Sequence, residues 1–131
     1  MTAEAAHDGY RRLPGRPVHH RRWSLSGAGL QVDDKITGGR RHEATIRWHL
    51  APGTAVQPRD DGAVVTTTAG SFAVRIAASG AFRLDVEAGM VATGFLRTTV
   101  APVLTCRIDS ALPVRISTGW RRVPGENRRA K

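Results

Sequence analysis

At 131 residues the chain is long enough for one domain with a genuine core. Its formal charge of +9 is carried almost wholly by arginine, since Lys35 and Lys131 are the only lysines. A single cysteine excludes an intrachain disulfide and a cysteine-based metal motif, and no apolar run is long enough to cross a bilayer.

Residues 1–17 have no sustained period and hold prolines and glycines, which predicts an N-terminal arm or linker. No signal peptide opens the chain, because residues 1–9 lack a basic start and an apolar segment, so any export address would lie on a part outside this sequence. Val18–Leu25 is the first predicted strand. Ser26-Gly27-Ala28-Gly29 is a turn, and Leu30–Ile36 returns with Leu30, Val32, Asp34 and Ile36 on one side. Asp34 on an apolar parity implies a paired carboxylate or a strand end. Ala44–Leu50 alternates most clearly, with Ala44, Ile46, Trp48 and Leu50 opposite Thr45, Arg47 and His49, as a half-buried antiparallel strand requires. A weaker strand is expected near Thr54–Gln57. Asp60-Asp61-Gly62 turns into the predicted hairpin Ala63–Thr68 and Ser71–Ala77, and Phe82–Glu87 alternates again. The Ala/Gly/Thr-rich stretch through Thr99 reads as irregular. Pro102 opens a last pair of strands that turns at Asp109-Ser110, and residues 121–131 form a basic tail expected to be disordered.

No segment carries a sustained helical period. Short strands punctuated by turns predict an all-β domain over 18–120, a two-layer antiparallel sandwich with no substantial helix. Arginine's planar fork fits carboxylate and sulfate groups, so the charge favours an anionic partner. The basic lip of the sheet supplies the candidate contacts: Tyr10, Arg11, Arg12, His20, Arg21 and Arg22. Tyr10, the only tyrosine, is read as packing against the sandwich end rather than acting as a base. Trp23 and Trp48 read as core and Trp120 as an end plug. Five histidines invite a metal, but no H-x-H or H-E-x-x-H spacing is present, leaving a cross-strand site of Asp34, His42 and a third ligand as the weak candidate. There is no G-x-S-x-G and no phosphate-cradling loop.

His7-Asp8-Gly9-Tyr10-Arg11-Arg12-Leu13, then His20-Arg21-Arg22 entering a strand, then Leu30-Gln31-Val32-Asp33-Asp34-Lys35-Ile36-Thr37-Gly38, resembles the C-terminal region of the heparinase II/III-like family. His42, Trp48-His49-Leu50-Ala51-Pro52-Gly53 and Leu112-Pro113 continue in the same order, so the resemblance runs from Ala6 to Trp120. The family's members are polysaccharide lyases, usually secreted or periplasmic, in which a helical toroid precedes a β-sandwich. The resemblance implies β-elimination on a uronate-containing acidic polysaccharide. That reaction needs the carboxylate neutralised, the C5 proton removed by tyrosine or histidine, and the leaving oxygen protonated. The family places most of that machinery in the toroid, with an assisting histidine in an Ala-His-Asn-Thr motif. Neither occurs in this sequence, so no catalytic residue is assigned here.

The expectation is therefore a sandwich that supports a toroid, in cis or as a separate chain, and lines the substrate cleft without catalysing elimination. The Met1 start suggests a truncated or split reading frame. No cofactor is expected, with a structural divalent metal left open because sandwich-borne metals occur in the family. The alternative is a stand-alone carbohydrate-binding module, which would need a row of exposed aromatics. A membrane partner is not expected, and nucleic acid is disfavoured because the basic residues are not interleaved with stacking rings. A sheet enclosing a buried pocket where Tyr10 meets converging histidines would contradict the scaffold reading.

Overall fold

A computed structural model describes residues 1–124 as ten strands, with no helix among them. They are β1 (Thr2–His7), β2 (Val18–Ser26), β3 (Gly29–Thr37), β4 (Arg41–His49), β5 (Ala55–Arg59), β6 (Gly62–Thr67), β7 (Gly70–Ala78), β8 (Phe82–Gly94), β9 (Arg97–Ala111) and β10 (Val114–Arg122). Seven strands form one antiparallel sheet in the order β1-β2-β3-β10-β7-β6-β5, and three form the other in the order β4-β9-β8. The expected sandwich is what the chain builds.

Period-two alternation supplies the core from both layers. Val32 of β3, Val74 and Ile76 of β7, and Val114 and Ile116 of β10 face Ile46 of β4 and Leu104, Cys106 and Ile108 of β9. β9 is the central strand of the smaller sheet, and its middle is buried on both faces. Burial without a charged partner pushes the Cys106 thiol up to about 11, so it stays protonated and inert as expected. Trp120 packs edge-on against Trp48 with ring centroids 5.5 Å apart, plugging the core.

Three expectations are corrected. The 1–17 arm contains a strand, since β1 pairs along β2 from Thr2↔Ser24 to His7↔His19. All six of its side chains are exposed, so an edge strand forms with no apolar period to announce it. The stretch through Thr99 is not irregular: β8 and β9 form a long hairpin from Phe82↔Ile108 to Gly94↔Arg97. Its outer half has no buried face, with Phe95 and Leu96 90% and 89% exposed at the tip, and that removed the alternation. The last turn lies at Leu112-Pro113 rather than Asp109-Ser110, because Asp109 and Ser110 still pair with Glu43 and His42, whereas proline lacks the N–H to continue a ladder. Of the expected tail, Arg121 and Arg122 belong to β10; the rest, from 125, lies outside the described residues.

Candidate functional site

The two sheets are unequal in width, and that inequality creates the site. The smaller sheet ends at β4, while β1 and β2 extend beyond it, so their inner face lies open beside the free edge of β4. The result is a groove of about 600 Å³. Ala5 and His7 of β1 and His19, Arg21 and Trp23 of β2 form its floor. Residues 43–47 of β4 form its wall, and Tyr10 and Leu13 of the β1–β2 loop close one end.

At the floor, the carboxylate of Asp34 is fully enclosed and bound from two sides. Arg21 donates from Nε to Oδ1 at 2.7 Å and from Nη2 to Oδ2 at 3.1 Å, and His19 Nε2 meets Oδ1 at 2.7 Å. Burial alone would raise the Asp34 pKa, but the hydrogen bonds and positive charge of His19 and Arg21 outweigh it and hold the group below its usual 3.8. An ionised Asp34 only accepts, so the Nε2 of His19 carries the proton of that bond. The Arg21 guanidinium also lies 5.0 Å from the centroid of Trp48 and 5.8 Å from that of Trp23, within cation–π range of both rings.

The β1–β2 loop is tied down by backbone contacts that glycine permits. Gly39 N–H donates to the Gly15 carbonyl at 2.9 Å, and Gly15 has φ +84. A Cβ at Gly15 would collide with the Gly39 carbonyl oxygen. His42 Nε2 donates to the Pro14 carbonyl at 2.6 Å, a second tether, between this loop and β4. The tethers set Tyr10 over His7, ring centroids 5.2 Å apart, and His7 edge-on to His19 at 5.6 Å. His7 Nδ1 accepts from the Gly9 N–H at 3.2 Å.

The sequence-derived contacts do not share one surface. Tyr10 and Arg21 line the groove. His20 and Arg22 alternate with Arg21 along β2 and face the opposite side of the sheet, where Lys35 and Arg115 add positive charge around Asp33. In the loop, Arg11 lies 3.7 Å from Asp8, and the Arg12 guanidinium donates to the Gly9 carbonyl. Asp34 and His42 have other partners, as described above, and no three His, Cys, Asp or Glu side chains among the described residues are grouped to hold a metal ion. His7 and His19 were missed. The parity of His19 with Arg21 and Trp23 was readable, but bringing His7 beside it required the unannounced strand β1.

Tyrosine does meet histidines here, but not in a buried pocket. The groove is open along its length, and Tyr10 is 46% exposed. A second charged cluster lies on the outer face of the smaller sheet. There Arg107 binds Glu87 at 2.8 Å and Asp85 at 3.2 Å, and Thr105 donates to Glu87 at 3.2 Å.

Residues 2–127 match the family model described as heparinase II/III-like, C-terminal. The chain belongs to that family. No curated protein sequence matches this heparinase II/III-like domain. Its fold is shared by a solved heparinase III, at 19% identity and a TM-score of 0.76, covering 96% of this domain and 20% of that chain. A heparinase III gene product gives 12% identity and 0.76, covering 93% and 19%. A mutant of the heparan sulfate lyase HepC from Pedobacter heparinus gives 11% identity and 0.73, covering 95% and 20%. The domain thus spans about a fifth of the length of the solved chains it resembles.

Proposed function

We propose that this domain is the supporting part of a polysaccharide lyase: it buttresses a helical catalytic domain and presents the β1–β2 loop to an acidic polysaccharide, without catalysing elimination itself. The observation that carries the reading is the share of length: four-fifths of each solved lyase it resembles lies outside the region this fold covers. The chemistry agrees. The carboxylates best placed to act as bases, Asp34 in the groove and Glu87 on the outer face, are bound by arginines, and a carboxylate held as an ion by arginine is a poor proton acceptor. Tyr10, Arg11 and Arg12 lie exposed on the loop at the groove's end, where a uronate or sulfate group would meet them.

The convergence of Tyr10, His7 and His19 favours a second reading, in which the domain has proton-transfer capacity of its own. One assay separates the two: ultraviolet absorbance of the unsaturated uronate product, on the chain alone and on the chain mixed with a helical lyase domain. The chain alone is expected to give no product. Product from the chain alone that disappears in Tyr10→Phe would overturn the supporting role. The stand-alone carbohydrate module fits less well, because Trp48 and Trp120 pack against each other and the indole of Trp23 lies on the groove floor rather than in an exposed aromatic row.

A further inference from the structure

The smaller sheet stops at β4 and leaves β1 and β2 of the larger one uncovered. Among the described residues, β4 is hydrogen-bonded to β9 on one side only. Consecutive residues of both parities, Glu43 to Arg47, line the groove, so it is the backbone edge of β4 and not merely one of its faces that borders the open space. The floor beside that edge is largely apolar and low: Ala5 lies opposite Arg21, and Trp23 and Ile36 complete it. A free strand edge beside an uncovered apolar floor is a template for strand addition, and proteins normally cover it.

We infer that the groove is the seat of an extended polypeptide segment that pairs with the free edge of β4 and completes the smaller sheet over Trp23 and Arg21. The segment comes from polypeptide outside this chain. This rests on the proposed reading that the domain works joined to, or beside, a larger lyase region, and it gives that support a physical form. Two observations select this occupant. An added strand would sit about 4.8 Å from β4, over the overhanging β1 and β2, so its inner side chains would be apolar and small, while an acidic residue on its outer side would meet Arg47, which is exposed. A second copy of this chain fits an antiparallel pairing at this edge poorly. Antiparallel pairing of two β4 edges about a two-fold axis perpendicular to the sheet brings both overhanging larger sheets to the same side, where they collide. The solved relatives, about five times longer, have polypeptide to spare for such a segment. Covering the groove would also complete the enclosure of the Asp34–Arg21–His19 cluster, whose three hydrogen bonds already satisfy the carboxylate as a buried group requires.

The test uses the whole chain, isotope-labelled, and a short capped peptide alternating valine with threonine and glutamate. Amide exchange of β4 should slow about tenfold near saturation, equivalent to about 1.4 kcal/mol, with a shift of the Trp23 indole signal and no slowing at β8, the other free edge of the same sheet. A peptide with proline in place of the central valine should do nothing. Ala5→Trp or Ala5→Arg, at an exposed position of β1, should abolish the effect while leaving the thermal midpoint unchanged. Equal protection at β8, no protection at β4, or the same signals moved by a uronate disaccharide but not by the peptide would each overturn the inference. No polysaccharide turnover enters this measurement, so its failure is distinct from failure of the supporting role.

Discussion

The two ion clusters of this domain use the same residue types to opposite ends. On the groove floor, Asp34 is enclosed and meets Arg21 and His19, which are themselves mostly buried; on the outer face of the smaller sheet, Arg107 meets Asp85 and Glu87 with water on one side. Coulomb attraction is strong in the first setting and screened in the second, but so is the penalty for leaving a charge alone. The inner cluster therefore fixes the geometry of β2 against β3 under the groove floor, while the outer one mainly keeps an exposed sheet face charged and unfit for stacking. Location, not pairing, decides what each cluster does.

Substitution at the inner cluster should break this contrast most severely. Asp34→Ala leaves the Arg21 guanidinium without its carboxylate and is expected to cost about 3–5 kcal/mol, toward the lower end because Arg21 can turn into the open groove. Urea unfolding followed by tryptophan fluorescence measures it. A loss comparable to that of an exposed pair would show that the floor is already wet and the contrast false.

The same carboxylate gives a pH signature. Its folded pKa lies below the usual 3.8, so the stabilisation is present above the unfolded value and is lost as pH falls through the folded one. The unfolding midpoint should decline below about pH 4, and Asp34→Asn should flatten that decline.

Much of this was legible in the sequence. Ala44, Ile46 and Trp48 opposite Thr45, Arg47 and His49 gave β4 its face, and Asp34 on the parity of Val32 and Ile36 implied a paired carboxylate or a strand end, of which the structure has the first. Leu30–Ile36 and Ser71–Ala77 lie within β3 and β7 as observed. What escaped were elements that bury nothing. β1 and the outer half of the β8–β9 hairpin have no oily face, so period-two reading had no signal to use. The groove escaped with β1, since its floor exists only once Ala5 and His7 lie beside Arg21 and His19. The basic run Arg21-Arg22 looked like one patch in the sequence, yet a strand sends successive side chains to opposite faces.

The loop that carries Tyr10 offers a smaller perturbation. Gly15→Ala forces a β-carbon into a left-handed backbone and against the Gly39 carbonyl, costing about 1–3 kcal/mol of strain unless the loop lifts away. If it lifts, the Tyr10 and His7 ring signals should move together in an NMR spectrum while those of Leu104 and Ile116 stay fixed. Movement of the core signals instead would mean that the loop and the sandwich are one rigid unit.

The smallest effect is expected at the outer cluster. The hydrogen bond from Arg107, aided by that from Thr105, outweighs partial burial and holds the Glu87 pKa below its usual 4.5, so this contribution is also present above the unfolded pKa and fades in acid. Arg107→Ala should nonetheless lower the unfolding midpoint less than Asp34→Ala does, because Arg107, Asp85 and Glu87 remain accessible to water once the pairing is removed. High salt should narrow the remaining difference between Arg107→Ala and the parent chain, since a pair open to solvent is screened. Salt should leave the Asp34→Ala deficit nearly intact, because mobile ions do not reach an enclosed carboxylate. If both deficits shrank alike with added salt, the inner cluster would be as open to ions as the outer one, and burial would not be what separates them.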